Sequence, residues 1–449
     1  MKTIRYYLAL LLVLIAIQPG YSQDTPAQAL TNVTLHNSDG SVTESATIVW
    51  RNGVIESVGT NTVIPFDAFV IDGGDSLHVY PGFIDGHTTI GSPDQPDNLR
   101  PLPEPGNPPY DRAGVQPERR PSILLTEDKD FENWIHSGFT TAGLGLKGYM
   151  LPGQLEVFML SDSYESTGLY RESIGLVGSF SPAPGGWNSG AYPSTLMGVM
   201  AKFRQVMFDA TALQDHIQYY EEDGSISAPE RDRVLESMFP LVNNEKPLYF
   251  YTDSEDDIER LFRLQDQFGF SLVLISGEEA YKLTDELKER NISVLASLDL
   301  SEAPEWYTES KKESDDEADE DDSEEEEGSE ISEEEQNYRE RQLKAWMAEV
   351  KNIRILMDEG INVGFASNGT SIKDLKENVS VLLEEGGLSM EELLQYMTIN
   401  TAEILGIESN FGSVKKGMNA SFQIYSLPFT EEKAELLHTV SNGTIYNIQ

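Results

Sequence analysis

The sequence predicts an α/β protein in which a (β/α)8, TIM-type barrel is joined to a small β-sandwich built from both ends of the chain. The chain has 449 residues, enough for a large barrel with an accessory domain. Short β-branched segments occupy both ends, and between them apolar runs of strand length alternate with amphipathic helices. We expect the sandwich to comprise residues 23–80 and 412–449, and the barrel to comprise residues 81–411.

The first 22 residues have the pattern of a secretory signal peptide. Lys2 and Arg5 precede an apolar run over residues 6–17, and a small-residue cleavage site follows at residues 20–22. The run is shorter than the ~20 residues that a membrane-spanning helix needs, and no other stretch approaches that length. We therefore expect a protein exported to the periplasm or the extracellular space, without a membrane span.

Composition excludes several classes of protein. The chain has no cysteine, which excludes disulfides, thiolate metal sites and a cysteine nucleophile. Its 76 acidic and 32 basic residues give a net charge of −44, which argues against nucleic-acid binding because phosphate contacts need clustered Lys and Arg.

Between Glu309 and Glu335 there are 17 acidic residues and almost nothing apolar. This run predicts an acidic, disordered loop over residues 309–335.

Short strands are predicted at both ends of the chain. The N-terminal candidates are ALTNVTLHN, SATIVWRNGVIESVG and AFVIDGGDSLHVYPG, and the C-terminal ones are ASFQIYSLPF and HTVSNGTIYNI. The pairs Asn52-Gly53 and Asn442-Gly443 suit tight hairpin turns. Because strands of the same style occur at both ends, we expect them to meet in one small β-domain.

The barrel prediction rests on alternating strands and helices. The strand candidates are GFTTAGLGL, ESIGLVGSF, PLYFYT, FSLVLIS, ISVLAS and INVGFAS. The helix candidates are DIERLFRLQDQFG, EAYKLTDELKERN, QLKAWMAEVKNIRILMDEG and MEELLQYMTINTAEILG. Ser389 and Glu392 form a capping box for the last helix, which should end near Gly406. This rhythm predicts parallel βα units, with the acidic run leaving from the C-terminal face where such barrels carry their active sites.

Several motifs in order resemble the amidohydrolase superfamily, specifically its imidazolonepropionase-like branch. VYPGFIDGH at residues 79–87 is similar to the first barrel strand of that family, and GFTTAG at residues 138–143 to the next. Thr398, Asn400 and Ala402 match its T-x-N-x-A helix, and FGSVKKGMNASFQIY is similar to its closing signature. The resemblance covers nearly the whole mature chain and implies a metal-dependent hydrolase fold.

The resemblance also implies a set of metal ligands, most of which this sequence lacks. Family members carry two His on the first strand, a carboxylated Lys or a Glu on the fourth, one His each on the fifth and sixth, and an Asp on the eighth. Only His87 stands at such a position, and no Lys or Glu stands out on the fourth strand. The replaced positions are Thr89, Tyr251, Ser276 (or the adjacent Gly277) and Asn368.

Hydroxyl, phenol and carboxamide groups are poor ligands for Zn²⁺. We therefore expect no cofactor, assign no catalytic residue, and predict a degenerate pocket at the barrel mouth. The pocket residues are His87, Thr89, Tyr251, Ser276 and Asn368. The other five histidines are interpreted as ordinary helix or strand residues.

The leading hypothesis is an exported amidohydrolase-like protein that is non-catalytic and acts as a binding or partner subunit. YPSTLMGVMAKFRQ and EKPLYFYTDSEDDIERLF resemble the first half of exported tandem amidohydrolases, in which the first unit tends to be degenerate and the second keeps the metal. The resemblance therefore implies a separately encoded, active amidohydrolase paralogue as the partner.

Two alternatives stay open. The first is an active, Zn-dependent hydrolase of carbon–nitrogen bonds other than peptide bonds, with an unconventional site. The second is a carbohydrate- or peptide-binding protein that takes a small-molecule ligand in the barrel mouth, lined by Trp187, Tyr192 and Tyr251. Asp253 with Asp256 or Asp257 suits acid/base chemistry, although acidic residues are also favoured where a helix begins.

Overall fold

The computed structural model describes residues 25–94, 104–183, 191–311, 332–429, 431 and 433–448. The predicted signal peptide, residues 1–22, lies outside the described residues, and so does Trp187. Residues 312–331 of the predicted acidic loop also lie outside them. Export and the disorder of that stretch stay predictions.

The two ends of the acidic run are helical, so the prediction of disorder over the full 309–335 range is wrong at its borders. Residues 309–311 end a helix that covers residues 305–311, and Lys311 contacts Glu385 in an ion pair. At the other border Ser332 accepts a hydrogen bond from the backbone N–H of Glu335 and caps a new helix. Acidic residues in a first helical turn are favoured by the helix dipole, which explains why this end of the run is ordered.

The described strands form one seven-stranded and one eight-stranded sheet. The first sheet contains β1 (Gln28–His36), β2 (Val42–Arg51), β3 (Val54–Gly59), β4 (Phe69–Pro81), β13 (Phe422–Tyr425), β14 (Leu436–Ser441) and β15 (Thr444–Asn447). The second contains β5 (Phe83–Thr88), β6 (Phe139–Leu144), β7 (Gly153–Met159), β8 (Gly168–Ser179), β9 (Leu248–Thr252), β10 (Leu272–Ser276), β11 (Ser293–Ala296) and β12 (Val363–Phe365).

The helices surround the second sheet. They are α1 (Pro121–Leu124), α2 (Asp130–Ile135), α3 (Leu196–Asp223), α4 (Arg233–Glu236), α5 (Phe239–Val242), α6 (Glu255–Phe268), α7 (Thr284–Glu289), α8 (Glu333–Val350), α9 (Asn352–Asp358), α10 (Ile372–Glu384), α11 (Met390–Met397) and α12 (Ile399–Leu405). Single 3-10 turns occupy Tyr110–Ala113 and Ala280–Leu283. No described helix is both long enough and apolar enough to cross a membrane.

The seven-stranded sheet combines strands from both ends of the chain in the order β15-β14-β13-β4-β1-β2-β3. It folds back on itself, because Trp50 on β2 packs edge-on against Phe422 on β13 and donates a 3.0 Å hydrogen bond to the carbonyl oxygen of Gly443. Asn442 and Gly443 both have positive φ, as the tight turn between β14 and β15 requires. The predicted two-layer sandwich thus takes the form of one folded sheet, while its exact boundaries stay a prediction.

The eight-stranded sheet has the order β12-β11-β10-β9-β8-β7-β6-β5. It is not built only from parallel βα units, as we expected, because β7 runs antiparallel to both β6 and β8. The connections before and after β7, residues 145–152 and 160–167, have eight residues each. That is too short for the crossover helix that a parallel connection needs, so the chain can only reverse direction.

The first and last strands of this sheet meet at their ends. The backbone N–H of Asn368, just after β12, donates to the carbonyl oxygen of His87 on β5 at 3.2 Å. No β-ladder joins β5 to β12 within the described ranges, so a fully closed barrel is not established by the pairing. The concave side is filled with apolar side chains, among them Ile84, Ile275 and Leu295, packed against residues of α12.

The helix predicted from Met390 to Gly406 is interrupted. Its capping box is confirmed, since Ser389 and Glu392 exchange side-chain and backbone hydrogen bonds. Thr398, however, leaves the helical region with φ −131° and ψ −90°, and separates α11 from α12. The Thr398 hydroxyl bonds to the carbonyl oxygen of Leu394 at 2.5 Å, a local side-chain bond that competes with the regular helical pattern.

Candidate functional site

The carboxyl ends of the strands bring some of the predicted site residues together. His87 lies on β5 and Asn368 lies directly after β12, and these two are joined by the 3.2 Å backbone hydrogen bond. Tyr251 and Ser276 lie at the ends of the neighbouring strands β9 and β10. Within the described part of the chain, no hydrogen bond connects the first pair of residues to the second.

His87 is buried and electrically neutral. Its side chain is only 4% exposed, and neither ring nitrogen has a hydrogen bond of normal geometry to a described residue. Burial lowers the pKa of His87 to about 4, and the side chain of Asn368 opposes this effect only weakly. A Cβ on Gly145 would lie 2.7 Å from Nε2, so the imidazole fits only because residue 145 is a glycine. The ring is therefore packed as an uncharged group.

Thr89, which stands where a second histidine is expected, lies beyond the end of β5. Its carbonyl oxygen accepts the backbone N–H of Ser92, which starts a turn rather than continuing the strand. The alternation that would aim residues 87 and 89 in the same direction therefore stops at Thr88.

Asp85 is the residue that sequence reasoning missed. It is completely buried, and its Oδ1 accepts the backbone N–H groups of Ser367, at 2.9 Å, and of His87, at 3.2 Å. Its Oδ2 accepts Nε1 of Trp134 at 3.1 Å. One carboxyl group thus ties β5 to the segment after β12 and to α2. The signal was present in the sequence, since an acid inside the apolar run FID must find partners.

Burial dominates the electrostatics of Asp85. It raises the pKa of this carboxyl group to about 6, although each of the three hydrogen bonds works in the opposite direction. Asp85 is a positioning residue, because it holds His87 and the Asn368 segment in place without an exposed oxygen for a ligand.

Two further site residues have an unusual backbone conformation. Ser276 has φ 76° and Asn368 has φ 49°, both in the left-handed region. Asn adopts this region readily, whereas Ser does so at a cost. The Ser276 hydroxyl group lies 3.1 Å from that of Ser297, and both residues are buried. These two hydroxyls satisfy each other and do not face solvent.

Tyr251 is the exposed member of the set, with 37% of its surface accessible. Burial of the remainder raises its pKa, and the neighbouring Asp253, Glu278 and Asp299 raise it further. These acids follow β9, β10 and β11, and only Asp253 was singled out from the sequence. Burial, together with Asp253, Glu349, Asp299 and Glu279, raises the pKa of Glu278 to about 7.

A cavity of about 630 Å³ opens beside these acids. Asp253 and Glu278 line one side of it, and Trp346 and Tyr281 contribute aromatic surface. Tyr192, another aromatic residue expected at the mouth, does not line this cavity, and its backbone N–H donates to the carbonyl oxygen of Pro105 at 2.9 Å.

The fold resemblance implies a catalytic metal at this site. Among the residues that the structure describes, no group of three or more His, Asp or Glu side chains is arranged to hold a metal ion. A catalytic zinc needs about three protein ligands and an open position for water. His87 is enclosed, and the groups at the other expected positions are weak ligands, so the residues present do not fit such a metal.

Comparison with known proteins places the fold. The model of the amidohydrolase family matches residues 345–446. An amidohydrolase from Thermotoga maritima MSB8 superposes with a TM-score of 0.71 at 20% identity, covering 94% of this chain and 100% of that one. The sequence match over residues 345–446 and the shared fold make this chain similar to amidohydrolases. The predicted resemblance is confirmed, while the imidazolonepropionase-like branch stays a prediction.

Other structures of this amidohydrolase fold are more distant. A second amidohydrolase has a TM-score of 0.51 at 14% identity and covers 94% of this chain and 99% of its own. A Xaa-Pro dipeptidase with methionine bound in its active site has a TM-score of 0.50 at 15% identity, with 94% and 100% covered. No curated protein sequence matches this chain. At these identities the structures establish the amidohydrolase fold, and the chemistry must be argued from the site.

The remaining histidines of the chain lie elsewhere. His36 and His78 form a pair in the seven-stranded sheet, with 3.0 Å between ring nitrogens, and His438 lies on β14. His136 ends α2, and His216 on α3 lies 3.0 Å from the carbonyl oxygen of Ser227.

Proposed function

We propose that this chain is an exported, non-catalytic amidohydrolase-superfamily protein that acts as a binding or partner subunit of an active amidohydrolase. The observation that carries the proposal is His87. Among the expected ligand positions, only position 87 still holds a metal-binding residue. The His87 ring is buried as a neutral group and has almost no surface exposed to solvent.

The chemistry of the other positions supports the same conclusion. The expected catalytic Asp is replaced by Asn368, whose carboxamide cannot accept a proton from water at neutral pH. Ser276 bonds to Ser297, and Thr89 lies in a turn outside the strand. A metal-bound water would therefore have neither its ligands nor its base.

The proposal also includes a closed barrel, export from the cytoplasm and a cavity for a ligand. We infer a barrel closed between β5 and β12, supported by the Asn368–His87 hydrogen bond and by the bond that Asp85 accepts from Ser367 across the same junction. Export is inferred from the signal-like residues 1–22. A small-molecule ligand would enter the 630 Å³ cavity beside Tyr251 and Glu278.

One observation favours a second candidate function, a hydrolase of carbon–nitrogen bonds other than peptide bonds with an unconventional site. Glu278 has a pKa of about 7 and interacts with Asp253 and Tyr251 at the strand ends. A carboxyl group with such a pKa can exchange protons near neutral pH, as a general acid or base must. The two candidates differ in whether the chain holds a catalytic metal.

The partner role predicts a stable complex with an intact amidohydrolase paralogue that carries His-x-His. Co-expression of the two mature chains should give one peak in size-exclusion chromatography, because stable heteromeric interfaces bury more than about 1,200 Å² in total. The paralogue should also change in activity or stability when this protein is present. Separate elution at micromolar concentration, with the activity of the paralogue unchanged, would remove the partner role.

A further inference from the structure

An apolar surface at the start of β4 is not explained by the proposed function. It lies within residues 63–71, which lead into β4 and form its first three residues. Their exposed fractions are 85% for Val63, 39% for Ile64, 104% for Phe66, 69% for Phe69, 54% for Val70 and 38% for Ile71. We call these six residues the β4 patch.

The β4 patch is also an open strand edge. On one side β4 pairs with β1 over most of its length, but on the other side β13 pairs only with residues 78–81. The backbone N–H of Phe69 donates to Ala27, towards β1. Because backbone groups alternate along a strand, the N–H and C=O of Val70 point to the open side. Neither group has a hydrogen-bond partner among the described residues.

From these observations we propose that a second copy of this chain covers the β4 patch, by antiparallel pairing of the two β4 edges around Val70. An edge that pairs with itself forms an isologous two-fold interface, the commonest kind in soluble oligomers. Centred on Val70, this register places Phe69 opposite Ile71 of the second copy and lets the two Val70 residues exchange both backbone hydrogen bonds.

The area of the β4 patch fits a modest dimer. The two phenylalanines expose about 350 Å² and the aliphatic residues bring the total to on the order of 600 Å², the upper end of what a monomer leaves uncovered. Complete coverage of two such patches would bury at most about 1,200 Å² together, at the lower end of specific interfaces. We therefore expect dissociation in the micromolar range rather than a permanent dimer.

Charge favours this register as well. Asp67, inside the stretch, is neutralised by Arg51 at 2.7 Å. Asp72 lies opposite Ala68 of the second copy when the pairing is centred on Val70, so no two acids face each other across the edge. The net charge of −44 still makes the two chains repel at long range. The dimer should therefore strengthen with added salt.

Substitution of Val70 tests the interface, with Val42 as a matched control. Val42 is a valine on β2 that is 56% exposed, against 54% for Val70. In sedimentation of the mature protein at increasing micromolar concentration, Val70→Asp should weaken dimerisation about tenfold or more, because it places two carboxylates side by side. Val42→Asp should leave it unchanged. A monomer at every concentration, or equal effects of the two substitutions, would overturn the proposal.

The absence of cysteine allows a second readout that does not depend on affinity. In a hydrogen-bonded antiparallel pair the Cα atoms lie about 5.5 Å apart, within the range that a disulfide spans. Val70→Cys should therefore form a covalent dimer on mild oxidation, and Val42→Cys should not. Equal cross-linking of both variants, or binding of a monomeric chain to phosphatidylcholine vesicles through Phe66, would contradict pairing with a second copy.

Discussion

Replacing Asp85 with Ala should lower the free energy of unfolding by about 3 kcal/mol, because it leaves buried N–H donors without an acceptor. The three donors are the backbone of Ser367, the backbone of His87 and the indole of Trp134. Urea denaturation followed by circular dichroism measures the change. The loss should appear as a lower midpoint with an unchanged slope.

Asp285→Ala provides the matched control for this substitution. The side chain of Asp285 is 95% exposed and only approaches Lys288 at 3.8 Å, so its removal should change stability by less than about 0.5 kcal/mol. If Asp85→Ala is equally harmless, the carboxyl group does not hold the β5–β12 junction together. Asp85 would then not be a positioning residue of the site.

The second large effect concerns the pH dependence of the free energy of unfolding, which should have opposite signs in two variants. In the folded protein the pKa of Asp85 is raised from 3.8 to about 6, so folding favours its protonated form. Its contribution to stability is therefore present at low pH and is lost as the pH rises from about 4 to about 6. The pKa of His87 is lowered from 6.5 to about 4, so folding favours its neutral form. Its contribution is present above about pH 6.5 and is lost as the pH falls towards 4.

These two contributions oppose each other in the wild-type protein over nearly the same pH window. Each corresponds to about 3 kcal/mol, so the stability of the wild type should change little between pH 4 and 6 on account of this pair. In His87→Gln only Asp85 of this pair still titrates, and stability relative to the wild type should fall as the pH rises from about 4 to about 6. In Asp85→Ala only His87 of this pair still titrates, and stability relative to the wild type should rise with pH.

Denaturation curves at several pH values between about 4 and 7 measure both slopes. His216→Gln, on the surface of α3, should follow the wild-type profile. If stability changed with pH in the same way in His87→Gln and Asp85→Ala, folding would not favour the protonated form of Asp85 and the neutral form of His87.

Local patterns predicted several parts of the fold because the physics behind them is local. The capping box at Ser389 and Glu392 depends on residues three apart, and the turn at Asn442 and Gly443 on two residues that tolerate positive φ. The strands that end at Thr252 and Ser276 were also found, because continuous apolar runs mark buried strands.

Other features of the fold and the site were missed. The antiparallel β7 and the break at Thr398 depend on connection length and on side-chain hydrogen bonds, which hydrophobic periodicity does not report. Asp85 was passed over because two of its three partners, Ser367 and Trp134, are distant in the sequence. Glu278 and Asp299 follow strand ends, but their mutual effect on pKa depends on how the strands are ordered in the sheet.

Metal content separates the two candidate functions most sharply, when it is measured on the protein that begins at Gln23, purified without chelator beside an active relative that carries His-x-His. Elemental analysis should find far less than one zinc, manganese or iron per chain, and about one or more in the relative. Thr89→His should not restore binding, since two histidines remain too few ligands. One or more tightly held metals per wild-type chain would contradict the account and favour the hydrolase with an unconventional site.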